Sequence, residues 1–207
     1  MTRNHTYFIS DCHFGHEAVI RMEQRPFENA AAMDAEMIYR WNSVVGPYDK
    51  VYILGDMFMR HEDPLSVLTQ LRGLKCLITG NHENWLDNLY REDCTKYAKA
   101  TESFFWIHKY DEVPYNHKNL VLFHYPMVSY PHERKNNWYM IHGHIHSHTN
   151  AEYFPLIANR ERILNACVEI NDYAPVTFEQ LVENNKIFKE RYFSEHPEER
   201  DIVGIDK

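Results

Sequence analysis

The segment HGHIHSH, residues 142–148, puts four of the chain's 14 histidines into seven positions. Imidazole nitrogens bind transition metals and move protons near neutral pH, so a dense cluster has two chemical uses. Other polar residues of matching chemistry recur along the chain. Asp11 and His13 stand in DCH, Asp56 closes ILGD, Asn81 and His82 stand in GNHE, and His124 sits in FHY. Carboxylate, amide and imidazole donors without thiolates suit Mn, Fe, Zn or Ni rather than a structural zinc. Taken singly, each short motif is also an ordinary strand-end or turn sequence, and GHIH alone reads equally as a metal site or a surface turn. The informative feature is the ordered set, in which Asp11, His13, Asp56, Asn81, His82, His124, His144 and His146 fall in five separate places.

Those places share a local plan. TYFIS (6–10), KVYILGD (50–56), LKCLITGNH (74–82) and NLVLFHY (119–125) each read as a short buried strand running straight into polar residues. Helical spacing lies between them. ENAAAMDAEMIYRWNSVV (28–45) carries apolar residues at Ala30, Met33, Met37, Ile38 and Trp41. DPLSVLTQLRG (63–73) opens with Asp63 as a cap and Pro64 in the first turn, and closes on Gly73. Strands alternating with helices predict an α/β fold, whose active sites gather at the carboxyl ends of strands. Beyond residue 100 the pattern turns β-rich, with ESFFWIHKYDEVPY and RILNACVEIND as strands and TFEQLVENNKIFKERYF (177–193) as a closing amphipathic helix. No repeat, low-complexity linker or composition break divides the sequence, which predicts one catalytic domain over 1–207. In an extended segment His144 and His146 would point to the same side. His142 shares their parity but precedes Gly143 and reads as a packed or supporting histidine, while His148 reads as rim or surface.

Composition narrows the class. With 30 acidic against 22 basic side chains the net charge is −8, which argues against sequence-independent gripping of long nucleic acid. A small anionic substrate remains compatible, because bound cations reverse the sign locally. Cys12, Cys76, Cys94 and Cys167 form no CxxC pair, which fits reduced thiols in a cytosol. No run approaches the ~20 apolar residues of a membrane span, and MTRNHTYFIS holds no signal-peptide stretch. A cytoplasmic protein acting on a small substrate, without membrane association, is the expectation; the sequence leaves the oligomeric state open.

The motifs D-x-H, G-D, G-N-H-[D/E], H and G-H-x-H, complete and in order between residues 8 and 146, resemble those of the calcineurin-like metallophosphoesterase superfamily. A looser likeness to small bacterial and phage members continues through LNACVEINDYAPVTFEQL (164–181). The resemblance implies a four-layer α/β/β/α sandwich of two mixed sheets. It also implies two divalent transition-metal ions per chain, Mn foremost and Fe, Zn or Ni as alternatives. Asp11, His13 and His146 would hold one ion, Asn81, His124 and His144 the other, and Asp56 would bridge them. The implied reaction is in-line attack by a hydroxide shared between the metals on a phosphodiester or small phosphomonoester, with His82 as general acid.

Several residues keep two readings. His16 either reaches the substrate phosphate or opens the helix that starts there. Tyr130, His132, Arg134, Lys135 and Trp138, within YPMVSYPHERKNNWYM (125–140), either recognise a leaving group or belong to a solvated loop. GDMFMR resembles phosphoprotein phosphatases in placing Arg60 as a phosphate-binding candidate, although Met59 and His61 depart from their pattern. The chain leaves no room for the capping domain of nuclease-type relatives, which implies an open site. Two other classes compete with an enzyme. A catalytically silent scaffold binding a protein partner would dispense with His82, and a metal-storage or sensor protein would show exchangeable surface His and Cys. The complete ligand set together with His82 favours the enzyme.

Overall fold

The computed structural model describes residues 4–59, 61 and 63–201, so the Arg60 candidate lies outside the described residues. The first half alternates strands and helices: β1 (Thr6–Ile9), α1 (Glu17–Met22), α2 (Ala30–Val44), β2 (Lys50–Ile53), α3 (Pro64–Leu68), β3 (Leu74–Ile78), α4 (Asn84–Glu92) and α5 (Cys94–Glu102). The second half is strand-rich, with β4 (Phe104–His108), β5 (Tyr110–Tyr115), β6 (Lys118–Phe123), β7 (Trp138–His142), α6 (Phe154–Ala158), β8 (Ile163–Asn165), β9 (Val176–Thr177) and α7 (Phe178–Glu195). One mixed sheet runs β4-β3-β2-β1-β9 and the other β5-β6-β7-β8. Parallel pairs join β1 to β2 and β2 to β3 in the first sheet, and β6 to β7 and β7 to β8 in the second.

Side-chain parity assembles the layers. Ile9, Val51, Ile53 and Leu77 face the helices and pack with Met33, Met37 and Trp41 of α2, Leu68 of α3 and Trp85 of α4. Phe8, Tyr52, Cys76 and Ile78 point the other way, against Leu120, Leu122, Ile141 and Leu164 of the second sheet. Strands buried on both faces read as continuous apolar runs, as β1 to β3 do. Val121, Met140 and Ile163 project from the far face of the second sheet. There the cover is thin, with Ile157 from α6 and Met127, Val128 and Tyr130 from the segment between β6 and β7. The expected class, two mixed sheets flanked by helices, is the fold observed.

The helices form where caps and apolar spacing agree. Asn29 caps α2 by accepting the Ala32 N–H at 2.9 Å, and Met33, Met37 and Trp41 give a buried i, i+4 stripe. A capping box between Thr177 and Gln180 starts α7. Two expectations need correction. The helix expected over 63–73 stops at Leu68, and Asp63 makes no side-chain cap bond. Turns follow Leu68, and Lys75 Nζ donates back to the carbonyls of Leu71 and Gly73 in the stretch that leads to β3. Residues 84–102 hold α4 and α5, with the Asp93 carboxylate capping α5 at Thr95 and Lys96. Finally, RILNACVEIND is a strand only through Asn165, followed by a 3-10 turn at Val168–Ile170. The chain leaves β8 to join the end of β1, Ser10 N donating to Ala166 O at 2.9 Å and Val168 N to Ser10 O at 3.2 Å. The two sheets are thereby stitched together at one edge. No described helix is long and apolar enough to cross a membrane.

Candidate metal centre

Because β1, β2 and β3 run parallel, their carboxyl ends deliver Asp11, Asp56 and Asn81 to a single edge. Parallel β6 and β7 bring His124, His144 and His146 to it from the second sheet. The segments after β1 and β2 stay paired past the strands, Asp11 N donating to Gly55 O at 3.0 Å and His13 N to Asp56 O at 3.1 Å. Asp11, His13, Asp56, His144 and His146 all adopt left-handed backbone, with φ between 49° and 73°. Such φ values are uncommon outside glycine, and Asp and His are among the residues that tolerate them best. This overturns the extended geometry expected for 144–146: the two rings are aimed by a left-handed turn, not by strand parity.

Two groups of donors result. Asp11 Oδ2 accepts from Ser10 Oγ at 2.6 Å, His144 N at 2.9 Å and the Cys167 thiol at 3.1 Å. That fixes the carboxylate and leaves Oδ1 buried with no hydrogen-bond partner. His13 Nε2 lies 4.0 Å and His146 Nε2 3.8 Å from this free oxygen. Around Asp56 the plan repeats. Its Oδ1 accepts the His82 N–H at 2.8 Å, while Oδ2 stands 3.9 Å from His13 Nε2 and 3.5 Å from His124 Nε2. Asn81 Oδ1 is 3.0 Å from both His124 Nε2 and His144 Nδ1. Donors around one ion with bonds of ~2.1 Å stand roughly 3–3.5 Å apart, close to these separations. An unpartnered buried carboxylate oxygen facing imidazoles is what a cation satisfies, so the residues fit the metal that the motifs imply.

Orientation of the rings supports the same reading. A carbonyl only accepts, so His124 carries its proton on Nδ1, donating to Leu54 O at 2.7 Å and leaving Nε2 for the site. His146 Nδ1 pairs with Glu169 Oε1 at 2.9 Å, again leaving Nε2 inward. The electrostatics are those of a site awaiting positive charge. Burial opposes the charged form of His146, but the Glu169 hydrogen bond and nearby carboxylates outweigh it and push the ring up to about 9. Burial likewise opposes a charged His124, and Asp56 outweighs it, raising that ring too. Burial is also the main influence against a charged Asp56, yet His124 and the His82 N–H hold it down at about 2. A cation bound between these carboxylates and imidazoles would compete with protons on His124 and His146. His13 is pushed down, to about 3, mainly by burial, and burial lowers His144 as well.

The remaining candidates divide. The His82 ring is 32% exposed, with Nε2 4.0 Å from Asp56 Oδ2, so it borders the site and still meets solvent. His16 opens α1, and its ring lies 5.5 Å from that of His13, so its position agrees with both readings. His142 is packed, with Nδ1 2.9 Å from Gly143 O. His148 is a rim residue paired with Glu23 at 3.1 Å. Within the 125–140 segment, Tyr130 is buried against the outer face of the second sheet, and the His132 ring lies tilted against that of Trp138 at 4.3 Å. Tyr125 instead reaches the site, its half-exposed ring 4.6 Å from that of His144.

The sequence model of the calcineurin-like phosphoesterases matches residues 5–203. The chain belongs to this family. It is 30% identical over 195 residues to an uncharacterized protein of Methanocaldococcus jannaschii, covering 91% of this chain and 97% of that one. The gene 66 protein of Mycobacterium phage L5 is 28% identical over 166 residues, 70% of this chain and 78% of the phage protein. Among solved structures, a protein of unknown function from Aquifex aeolicus superposes with a TM-score of 0.66 at 28% identity, covering 87% of this chain and 99% of that one. A metal-dependent phosphoesterase is the class to which chain and site belong.

In this phosphoesterase the motif glycines have a steric cause. A Cβ on Gly80 would strike Asp56 Oδ1 and come within 2.8 Å of His124 Cε1. One on Gly143 would strike Asp11 Oδ2 and lie 2.6 Å from Ser10 Oγ. Candidate ligand side chains from neighbouring strands pass where those Cβ atoms would be. Three further residues support the site without having been singled out from sequence. Glu83, the last letter of GNHE, accepts N–H bonds from Asp56, Met57 and Gly80, tying the end of β2 to that of β3. Burial, reinforced by the Asp56 charge, pushes its carboxyl up to about 7 against those three bonds. Arg25 and Glu169 form a buried pair behind His146, and no local motif marks either.

Proposed function

We propose that this phosphoesterase is a dinuclear enzyme that hydrolyses a small phosphodiester, with Mn as the foremost metal. Asp11, His13 and His146 hold one ion, Asn81, His124 and His144 the other, and Asp56 is shared. The observation carrying this reading is Asp56 Oδ2, set between His13 Nε2 at 3.9 Å and His124 Nε2 at 3.5 Å. When bound, the ions supply Lewis acidity toward the phosphoryl oxygens and acidify water for attack. The chain's own residues do the rest. Asn81 is a neutral donor, so Asp11 and Asp56 leave the loaded site net positive and able to draw a phosphate into a protein of charge −8. His82 carries the proton that the departing alkoxide takes up. The protein's acidic surface supports a small substrate over a long nucleic acid.

Elemental analysis of Mn-reconstituted protein should approach two ions per chain, and Asp56→Asn should weaken both. Saturation at one ion or fewer would sink the dinuclear reading. Turnover of bis-p-nitrophenyl phosphate should exceed both that of the monoester and any degradation of duplex DNA. Efficient duplex degradation at physiological salt would overturn the small-diester preference.

A further inference from the structure

Behind His146 lies a buried charged relay that the ligand motifs do not contain. Arg25 has a side chain 0% exposed, and it donates from Nε and Nη2 to Glu169 Oε1 at 3.0 and 2.7 Å. The same Oε1 faces His146 Nδ1 at 2.9 Å. The guanidinium also donates to the backbone on either side of the first ligand turn, Nη2 to Asp11 O at 2.7 Å and Nη1 to Cys12 O at 2.8 Å. One guanidinium therefore references two metal-site residues, Asp11 through its carbonyl and His146 through Glu169. A buried guanidinium in so many fixed bonds has little freedom to relax if one partner changes.

The other half of the site is supported differently. His124 is oriented by the Leu54 carbonyl, a neutral acceptor. An anionic acceptor on the outer imidazole N–H makes the inner nitrogen a stronger donor than a neutral carbonyl does. Glu23 stands in the same cluster around His146 and adds negative potential. We infer that Glu169, anchored by Arg25, is a positioning residue that selectively strengthens the half-site of Asp11, His13 and His146, making the two metal positions unequal. This inference rests on the dinuclear reading above.

Titration of manganese chloride into chelator-treated protein, followed calorimetrically, tests it. The wild type should show two sites of different affinity. Glu169→Gln keeps the shape and removes the charge, and it should weaken one site by ~10–100-fold while leaving the other unchanged. His146→Ala should abolish that same site, and adding Glu169→Gln to it should not alter the remaining one. A general structural role for Glu169 would instead weaken both sites together. If the single variant fails to fold because Arg25 is left unpaired, Arg25→Met with Glu169→Gln removes both charges and should show the same one-site loss. Two sites of wild-type affinity in the Glu169 variants, or equal weakening of both, overturns the inference while leaving the dinuclear reading intact. Fewer than two sites in the wild type overturns both.

Discussion

At the scale of residues, the two neighbours Asn81 and His82 divide their labour by backbone direction. Asn81 offers Oδ1 to His124 and His144, whereas His82 touches Asp56 Oδ1 through its N–H and keeps its ring at the solvent boundary. Because the bond to Asp56 comes from the backbone, His82→Ala retains it and should retain both metal ions. Turnover of a diester with an alkoxide leaving group should then fall ~10²–10⁴-fold, the usual contribution of a general acid. The loss should be far smaller with p-nitrophenolate, which departs without protonation. Equal losses on the two substrates, measured as kcat at saturating metal, would assign His82 to phosphate binding instead.

At the scale of elements, the site is a property of strand ends that approach within contact of one another. Gly55, Gly80 and Gly143, which precede Asp56, Asn81 and His144, each leave room for a neighbouring side chain, so the spacing of these motifs is a packing constraint between strands as much as a donor pattern. Gly80→Ala tests this, since its Cβ would displace Asp56 and the His124 ring together. Its melting transition without metal should stay cooperative, because the layers that hold the sheets lie elsewhere. Mn affinity at both positions should drop, with activity lower by on the order of 10²-fold, as expected for a displacement near 1 Å. Unchanged metal binding in Gly80→Ala would show that this edge is more pliable than the contacts imply.

The whole molecule places its reactive edge where the two sheets are stitched, and that has a consequence for stability. His142 ends β7 at this seam, fully buried, with Nε2 lacking a partner. Burial pushes its ring down to about 3. In the unfolded chain the ring takes a proton near its ordinary value of ~6.5. Between those values the unfolded state binds the extra proton, so the stability associated with a neutral His142 is lost as pH falls from ~6.5 towards 3. At pH 4.5 the loss amounts to about 2–3 kcal/mol from this residue. His142→Leu should flatten the acid limb of urea-denaturation stability in chelator-treated protein. An unchanged slope between pH 7 and 4.5 would place the acid sensitivity in other groups, His13 first among them.

Much of this was written locally in the chain. Strand-end position, donor type and order could be read from DCH, GD, GNHE, FHY and GHIH, because each candidate donor follows a strand within a few residues. The parity of Leu120, Val121 and Leu122, which sorts β6 between two cores, follows equally from a period of two. Other features had no local signature. Left-handed backbone at His144 and His146 depends on contacts such as the Asp11 carboxylate meeting His144 N, 133 residues away in sequence. Beyond the early end of α3, the Lys75 ammonium reaches back to the Leu71 and Gly73 carbonyls, bonds that propensity does not encode. Arg25 and Glu169 are 144 residues apart, and Glu83 becomes a clamp only once β2 and β3 lie side by side. Donor identity travels with the sequence because it is covalent; which buried group balances, orients or crowds each donor is decided when distant segments close around it and exclude water.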